Sequence, residues 1–296
     1  MSGKHSAQNG ERVWPLCRFR AGQSVRIGLK TDQGTLLDLT SAGVGSLEEL
    51  LEDEHCTERL EKLSNQGLPP LKLSVSLCAP VERQEVWAAG VTYLRSKAAR
   101  MEESDFSATA YDRVYEAARP ELFFKSLAEK VVGPGESIGI RRDANWSVPE
   151  PELALVFNSR GKVVGYTIGN DMSSRDIEGE NLLYLPQAKI YERSCALGPW
   201  LVVGATEENA RAWNIHISIR RKAAVIFKGE TSVNRMKRAF AELAEFLFRG
   251  QKFPHGAILL TGTGVVPPDS FTLEAGDEVE IEIGGIGVLK NSVVVV

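Results

Sequence analysis

From Glu152 onward the chain is a succession of short segments rich in Val, Ile and aromatic residues: ELALVFN, KVVGYTIGND, WLVVGA, WNIHISIR, AAVIFKGE, AILLTGTG, DEVEIEIGG and GVLKNSVVVV. Gly, Pro or Asn punctuates them, and β-branched and aromatic side chains suit a pleated surface packed on one or both faces. One clear helical pattern interrupts the series, MKRAFAELAEFLFRG, with Gly250 expected at its C-terminal stop. Strands that do not alternate with helices argue against a doubly wound sheet or an α/β barrel, so the predicted class is α+β, mainly β.

The first third of the chain is built differently. VRIGLKTDQGTLLDLT alternates apolar and polar on both sides of Asp32-Gln33-Gly34, as a β-hairpin does, and SLEELLEDEHCTERLEKL carries leucines at helical spacing. Pro69, Pro70 and Pro80 then mark a linker. A chain of 296 residues exceeds the usual ~100 to 200 of one domain. We therefore expect a small N-terminal α+β domain over 1–78 and a larger domain over 79–296. The polar first dozen residues are expected to be disordered. The charged, Ala-rich stretch from Thr92 to Ala118 reads as a helix or as a polar lid over a site.

Composition removes several function classes. A chain that is 43% hydrophobic and 25% charged is an ordinary globular protein. A net charge of −4 and only short basic clusters supply no positive field for a polyanion, so no nucleic-acid partner is expected. No signal-peptide core opens the chain, and no apolar run approaches the ~20 residues of a membrane helix, so no membrane partner is expected and the default address is cytoplasmic. Cys17, Cys56, Cys78 and Cys195 stand far apart without a CxxC, which argues against a zinc knuckle or a disulfide framework.

The most informative residues are Val148-Pro149-Glu150-Pro151-Glu152-Leu153. In an extended strand, residues two apart project from one face, so both carboxylates can converge on one cation. The prolines support extension and place the pair at an edge or a strand entrance. Like charges so placed repel unless a cation or solvent neutralises them. The following KVVGYTIGND returns after a turn at Ser159-Arg160-Gly161 and ends on Asp171, which an antiparallel hairpin brings beside the Glu pair. Three carboxylates suit a hard cation, Mg²⁺, Mn²⁺ or Ca²⁺. On spacing alone the trio reads equally as a metal site and as a solvated acidic face.

PEPELALVFNSRGKVVGYTIGNDMSSRDIEGEN resembles the ExE, GYT and NDxSxRD pattern of the fumarylacetoacetate hydrolase superfamily. The resemblance continues through Lys189, Leu197-Gly198-Pro199-Trp200, Gly262-Thr263 and Ala275-Gly276-Asp277-Glu278-Val279, roughly residues 85 to 296 in order. It implies a mixed β-sandwich roll with a smaller N-terminal domain, assembled as a homodimer or homotetramer. It also implies a metal role for Glu150, Glu152 and Asp171 and a substrate role for Lys189 and Thr263. GVTYLRSKAARMEES, ARPELFFKS and RDIEGENLLYLPQAKIYERSCALGP look most like the sugar-acid dehydratase branch, similar to 2-keto-3-deoxy-D-arabinonate dehydratase. The branches that hydrolyse C–C bonds or decarboxylate carry a catalytic His shortly after the tyrosine matching Tyr93. Here Ser96, Lys97 and Ala98 stand in that region, and His5, His55, His216 and His255 lie elsewhere.

The resemblance therefore implies lyase chemistry on a 2-keto-3-deoxy sugar acid, with C–C hydrolysis or decarboxylation of an acylpyruvate-like diketo acid as the alternative. A 2-keto acid can chelate the cation, which as a Lewis acid stabilises the enolate left when a C3 proton departs. Loss of the C4 hydroxyl is then dehydration, and tautomerisation of a pentonate yields 2-oxoglutarate semialdehyde. Lys189, in a Pro186-Gln187-Ala188 loop, would neutralise the substrate carboxylate or act as base, unless it is an ordinary solvated lysine. Because the metal ligands are carboxylates, its replacement is expected to leave metal affinity nearly unchanged. Glu121, between Pro120 and a buried-looking Leu122-Phe123-Phe124, is the candidate acid/base or else a surface carboxylate at a strand start. Thr263 sits where backbone can approach a ligand carboxylate, and Tyr93 lines the pocket or is plain core. Arg175 and Asp176 fit a supporting salt bridge better than a part in catalysis.

Overall fold

The computed structural model describes residues 12–71, 74–93 and 113–296. Its strands in chain order begin with β1 (Trp14–Ala21), β2 (Ser24–Lys30), β3 (Leu36–Asp38), β4 (Pro70–Leu71), β5 (Leu77–Cys78), β6 (Glu85–Gly90), β7 (Glu121–Ser126), β8 (Ser137–Ile140) and β9 (Ser147–Val148). They continue with β10 (Pro151–Phe157), β11 (Val163–Asp171), β12 (Ser173–Ser174), β13 (Cys195–Val203), β14 (Asn214–Arg221), β15 (Ala224–Ser232), β16 (Ala257–Leu260), β17 (Glu278–Ile283) and β18 (Gly287–Val295). The helices are α1 (Leu47–Glu52), α2 (Cys56–Ser64), α3 (Arg175–Glu180), α4 (Leu185–Lys189), α5 (Glu207–Arg211) and α6 (Phe240–Phe248).

The large sheet runs β4-β3-β2-β1-β13-β11-β10-β16-β6-β7, with β5 also on β1, and the second runs β15-β14-β17-β18-β8. The predicted mainly-β class is what forms, and the N-terminal hairpin β2–β3 joins the large sheet through β1 and β13. Strand β10 shows how the layers pack. Its Leu153, Leu155 and Phe157 enter the core that also holds Ile215, Ile217 and Ile281 of the second sheet. The intervening Ala154 and Val156 enter a second core with Leu47, Leu50 and Leu60 of α1 and α2. Side chains alternate across a strand, so β10 is buried on both faces, and Glu150 and Glu152 share the face of Ala154 and Val156.

The hairpin β10–β11 turns where the sequence predicts. Asn158 accepts the Gly161 amide at 3.0 Å, and Gly161 takes φ 76°, a conformation glycine reaches without steric penalty. Pairing Pro151 with Asn170 and Glu152 with Gly169 brings Asp171 back beside Glu150, whose carbonyl accepts the Asp171 amide at 3.0 Å. Pro151 is thus the entrance of a central strand flanked by β11 and β16, not an edge.

Three local expectations need adjustment. The single N-terminal helical pattern splits into α1 and α2 at Asp53, whose carboxylate accepts the His55 amide at 2.9 Å. The late helix begins at Phe240 rather than Met236, because the Lys237 amide donates to Thr92 and Met236 bridges to Tyr93; Arg249, in the right-handed region, is its cap instead of Gly250. Leu122, Phe123 and Phe124 are half-buried, since β7 lies at the end of the large sheet. Of the Thr92–Ala118 stretch, residues 94–112, including Ser96, Lys97 and Ala98, lie outside the described residues, as do the first 11. All four cysteines are free, three of them buried. No helix among the described residues is long and apolar enough to cross a membrane.

Candidate metal centre

Glu150 and Glu152, on one face at the entrance of β10, and Asp171, at the end of β11, offer carboxylate oxygens within 4.8 Å of one another, and all three residues are buried. Burial removes one of the two readings the spacing left open, because three carboxylates withdrawn from water are not a solvated face. Without compensation such a group is costly.

Three cations supply the compensation. Lys189 is fully buried, and its Nζ reaches Glu150 Oε2 at 2.8 Å, Asp171 Oδ2 at 3.1 Å and the Ser173 hydroxyl. Arg175 Nη2 donates to Glu150 Oε1 at 2.7 Å, the supporting salt bridge expected of it, whereas Asp176 accepts the Asn145 amide. Lys125, also fully buried, pairs with Asp171 Oδ1 and donates to the carbonyls of Met172 and Lys189. With every carboxylate ionised the six charges cancel. A divalent cation would therefore leave the site positive and suited to an anionic ligand that brings its own oxygens.

Glu152 is held differently. It has no ion-pair partner among the described residues, and its Oε2 accepts the Gly262 amide at 2.6 Å. Burial first, then the charges of Asp171 and Glu150, push its carboxyl well above the ordinary range; Lys189 and the Gly262 amide pull the other way and do not prevail.

The structure brings Glu150, Glu152, Asp171 and Lys189 together as the sequence suggests, and it places Lys189 at the end of α4 rather than in a solvated loop. Thr263 is buried beside Gly262, with its hydroxyl donating to Val265 O at 3.0 Å. Glu121 lies opposite Gly90 in the β6–β7 pairing, and its carboxylate fills the space a Cβ on Gly90 would take. Tyr93 is buried in the core between the sheets and also lines a cavity of about 770 Å³ with Phe227, Gly264 and Val265. Lys125 is the residue sequence reasoning missed. Its one signal is a charge at the end of the apolar run Leu122-Phe123-Phe124, two positions from Phe123 and on the same strand face.

A buried carboxylate trio at the strand ends of a mixed two-sheet roll defines the class: the chain belongs to the fumarylacetoacetate hydrolase family. Residues 85–294 match the fumarylacetoacetate (FAA) hydrolase C-terminal family. The chain is 48% identical over 217 residues, 73% of its length and 74% of the relative's, to a probable 2-keto-3-deoxyxylonate dehydratase of Haloferax volcanii. It is 42% identical over 222 residues, 74% of each chain, to the 2-dehydro-3-deoxy-D-arabinonate dehydratase of Saccharolobus solfataricus. A solved structure of 2-keto-3-deoxy-D-arabinonate dehydratase complexed with magnesium and 2,5-dioxopentanoate superposes with a TM-score of 0.78 at 33% identity, covering 95% of this chain and 99% of that one.

Proposed function

We propose that this chain is a divalent-cation-dependent hydro-lyase that dehydrates a 2-keto-3-deoxy sugar acid of the pentonate type to 2-oxoglutarate semialdehyde, with Mg²⁺ held by Glu150, Glu152 and Asp171. The observation that carries the reading is the buried carboxylate trio in a chain 42 to 48% identical to two such dehydratases. A cation bound there acidifies C3 of a 2-keto acid by polarising the neighbouring carbonyl.

The protein's own groups do the rest. Lys189, buried and fixed against Glu150, Asp171 and Ser173, offers the substrate carboxylate a desolvated cation. Glu121 takes the C3 proton and returns one to the C4 hydroxyl, which leaves as water. Transfer of a C5 proton to C3 then gives the C4=C5 enol, and movement of its hydroxyl proton to C4 gives the aldehyde, with no oxidant required. Thr263 borders the substrate carboxylate through its loop, and Tyr93 closes the distal wall. The same proposal includes a homo-oligomer, which the family resemblance implies, and a cytoplasmic address, with which four free thiols agree.

The test is a substrate panel with Mg²⁺. Semialdehyde formed from a 2-keto-3-deoxypentonate is the expected result. Release of pyruvate from an acylpyruvate, with the pentonate inert, would establish the C–C hydrolase alternative instead.

A further inference from the structure

Strand β6 ends at Gly90, and the next residue, Val91, is buried with φ 52°. A β-branched residue in the left-handed region is a steric outlier that persists only where its surroundings hold it. The turn delivers Thr92, which is fully buried, against the loop after β16. There the Thr92 hydroxyl donates to the Thr261 carbonyl at 2.6 Å. That carbonyl belongs to the same peptide unit as the Gly262 amide, the group that donates to Glu152 Oε2 at 2.6 Å.

We propose that Thr92 is a positioning residue of the metal centre, holding the Thr261–Gly262 peptide in the orientation that presents its amide to Glu152. The hydroxyl, the peptide and the carboxylate form one chain of hydrogen bonds, and such chains strengthen their members by mutual polarisation. Both ends of the device are fixed. Thr92 O accepts the Lys237 amide at 2.9 Å, while the Thr261 amide and hydroxyl both donate to Leu153 O, the residue after Glu152. Gly262 makes the approach possible, since a Cβ there would overlap Thr92 Oγ1 and crowd the Ala89 carbonyl. The device serves the one ligand of the trio that no ion pair secures among the described residues, which is why a hydroxyl two bonds removed matters to the metal. The inference rests on the metal assignment proposed above.

Two measurements on the metal-free full chain test it: Mg²⁺ titration by calorimetry, and hydrogen exchange of the Gly262 amide. Thr92→Val keeps the shape and removes the donor. Its Mg²⁺ dissociation constant is expected to rise about tenfold, within the range for residues that orient a ligand from behind. Gly262 exchange should accelerate while the Thr261 amide, bonded to Leu153, stays protected; Thr92→Ser should restore both. Should Thr92→Val fail to fold, Thr92→Cys, a weaker donor of similar volume, carries the same expectation at smaller amplitude. Parental Mg²⁺ affinity together with parental Gly262 protection in either variant overturns the proposal, and a lowered melting point alone does not rescue it. If the parent itself binds no Mg²⁺, the metal assignment fails while the exchange measurement still decides the role of Thr92.

Discussion

Lys125 and Lys189 grip the two oxygens of one carboxylate: Lys125 Nζ pairs with Asp171 Oδ1, and Lys189 Nζ lies 3.1 Å from Oδ2. Lys125 also donates to the Lys189 carbonyl, so the two lysines are tied to each other as well as to Asp171. Lys125 fixes the end of α4 and one ligand of the trio together, leaving Lys189 as the cation that bridges Glu150 and Asp171.

Lys125→Met should therefore destabilise the metal-free protein by about 1.5 to 3 kcal/mol, the scale of a lost buried hydrogen bond to a charged group, because Asp171 keeps Lys189 as its second cation. Urea unfolding measures it. Arg249→Met, which removes an exposed ion pair with Glu245, is the control and should change stability by under about 1 kcal/mol. Equal effects in the two variants would mean that Lys125 contributes no more to stability than an exposed ion pair does.

Lys189→Met bears on an expectation that the geometry reverses. Carboxylate ligands alone suggest that metal affinity is indifferent to Lys189, yet its ammonium touches two of the three. Removing that charge leaves the trio more negative, so calorimetry should show tighter Mg²⁺ binding. Turnover of the keto acid should fall by at least ~10²-fold, the scale of a lost acid–base or charge contact. Unchanged affinity with near-parental turnover would return Lys189 to a purely structural part.

The strands and the β10–β11 hairpin are legible in the sequence because their information is local: branched residues, a glycine turn and a period of two that puts Glu150 and Glu152 on one face. What is not legible depends on distant partners. Lys125 finds its counter-ion on β11, and nothing near it in sequence announces that. The start of α6 is set by Thr92 and Tyr93 rather than by its own propensity. The trio could be located from spacing, but its burial, which excludes a solvated face, comes from packing of the strands that flank it.

Thiol labelling should be nearly silent in the native protein. Burial pushes Cys17 and Cys195 up to about 12 and Cys56 up to about 11, so none offers an appreciable thiolate near neutral pH. Iodoacetamide should modify only half-buried Cys78, and that slowly because its thiol is raised as well. Mass mapping before and after denaturation checks this; rapid native labelling of Cys195 would contradict its place in the core.

The raised carboxyl of Glu152 makes the stability of the metal-free protein fall with pH. Burial is the largest cause, followed by Asp171 and Glu150, so the folded chain keeps this proton where the unfolded chain, near its ordinary value of 4.5, has lost it. Over that window the folded state binds more protons than the unfolded one, and the slope of unfolding free energy against pH is negative. The contribution of Glu152 is thus fully present below the ordinary carboxylate value and is lost as pH rises through the raised one. A divalent cation needs the carboxylate, so its binding expels the proton and its affinity climbs with pH. Thermal unfolding of the parent and Glu152→Gln from about pH 5 to about pH 8, in chelator and in Mg²⁺, separates these effects. In chelator the parent should lose melting temperature relative to Glu152→Gln as pH rises, and Mg²⁺ should stabilise only the parent, increasingly toward high pH. Parallel curves for the two proteins in chelator would show that Glu152 is already ionised without the metal.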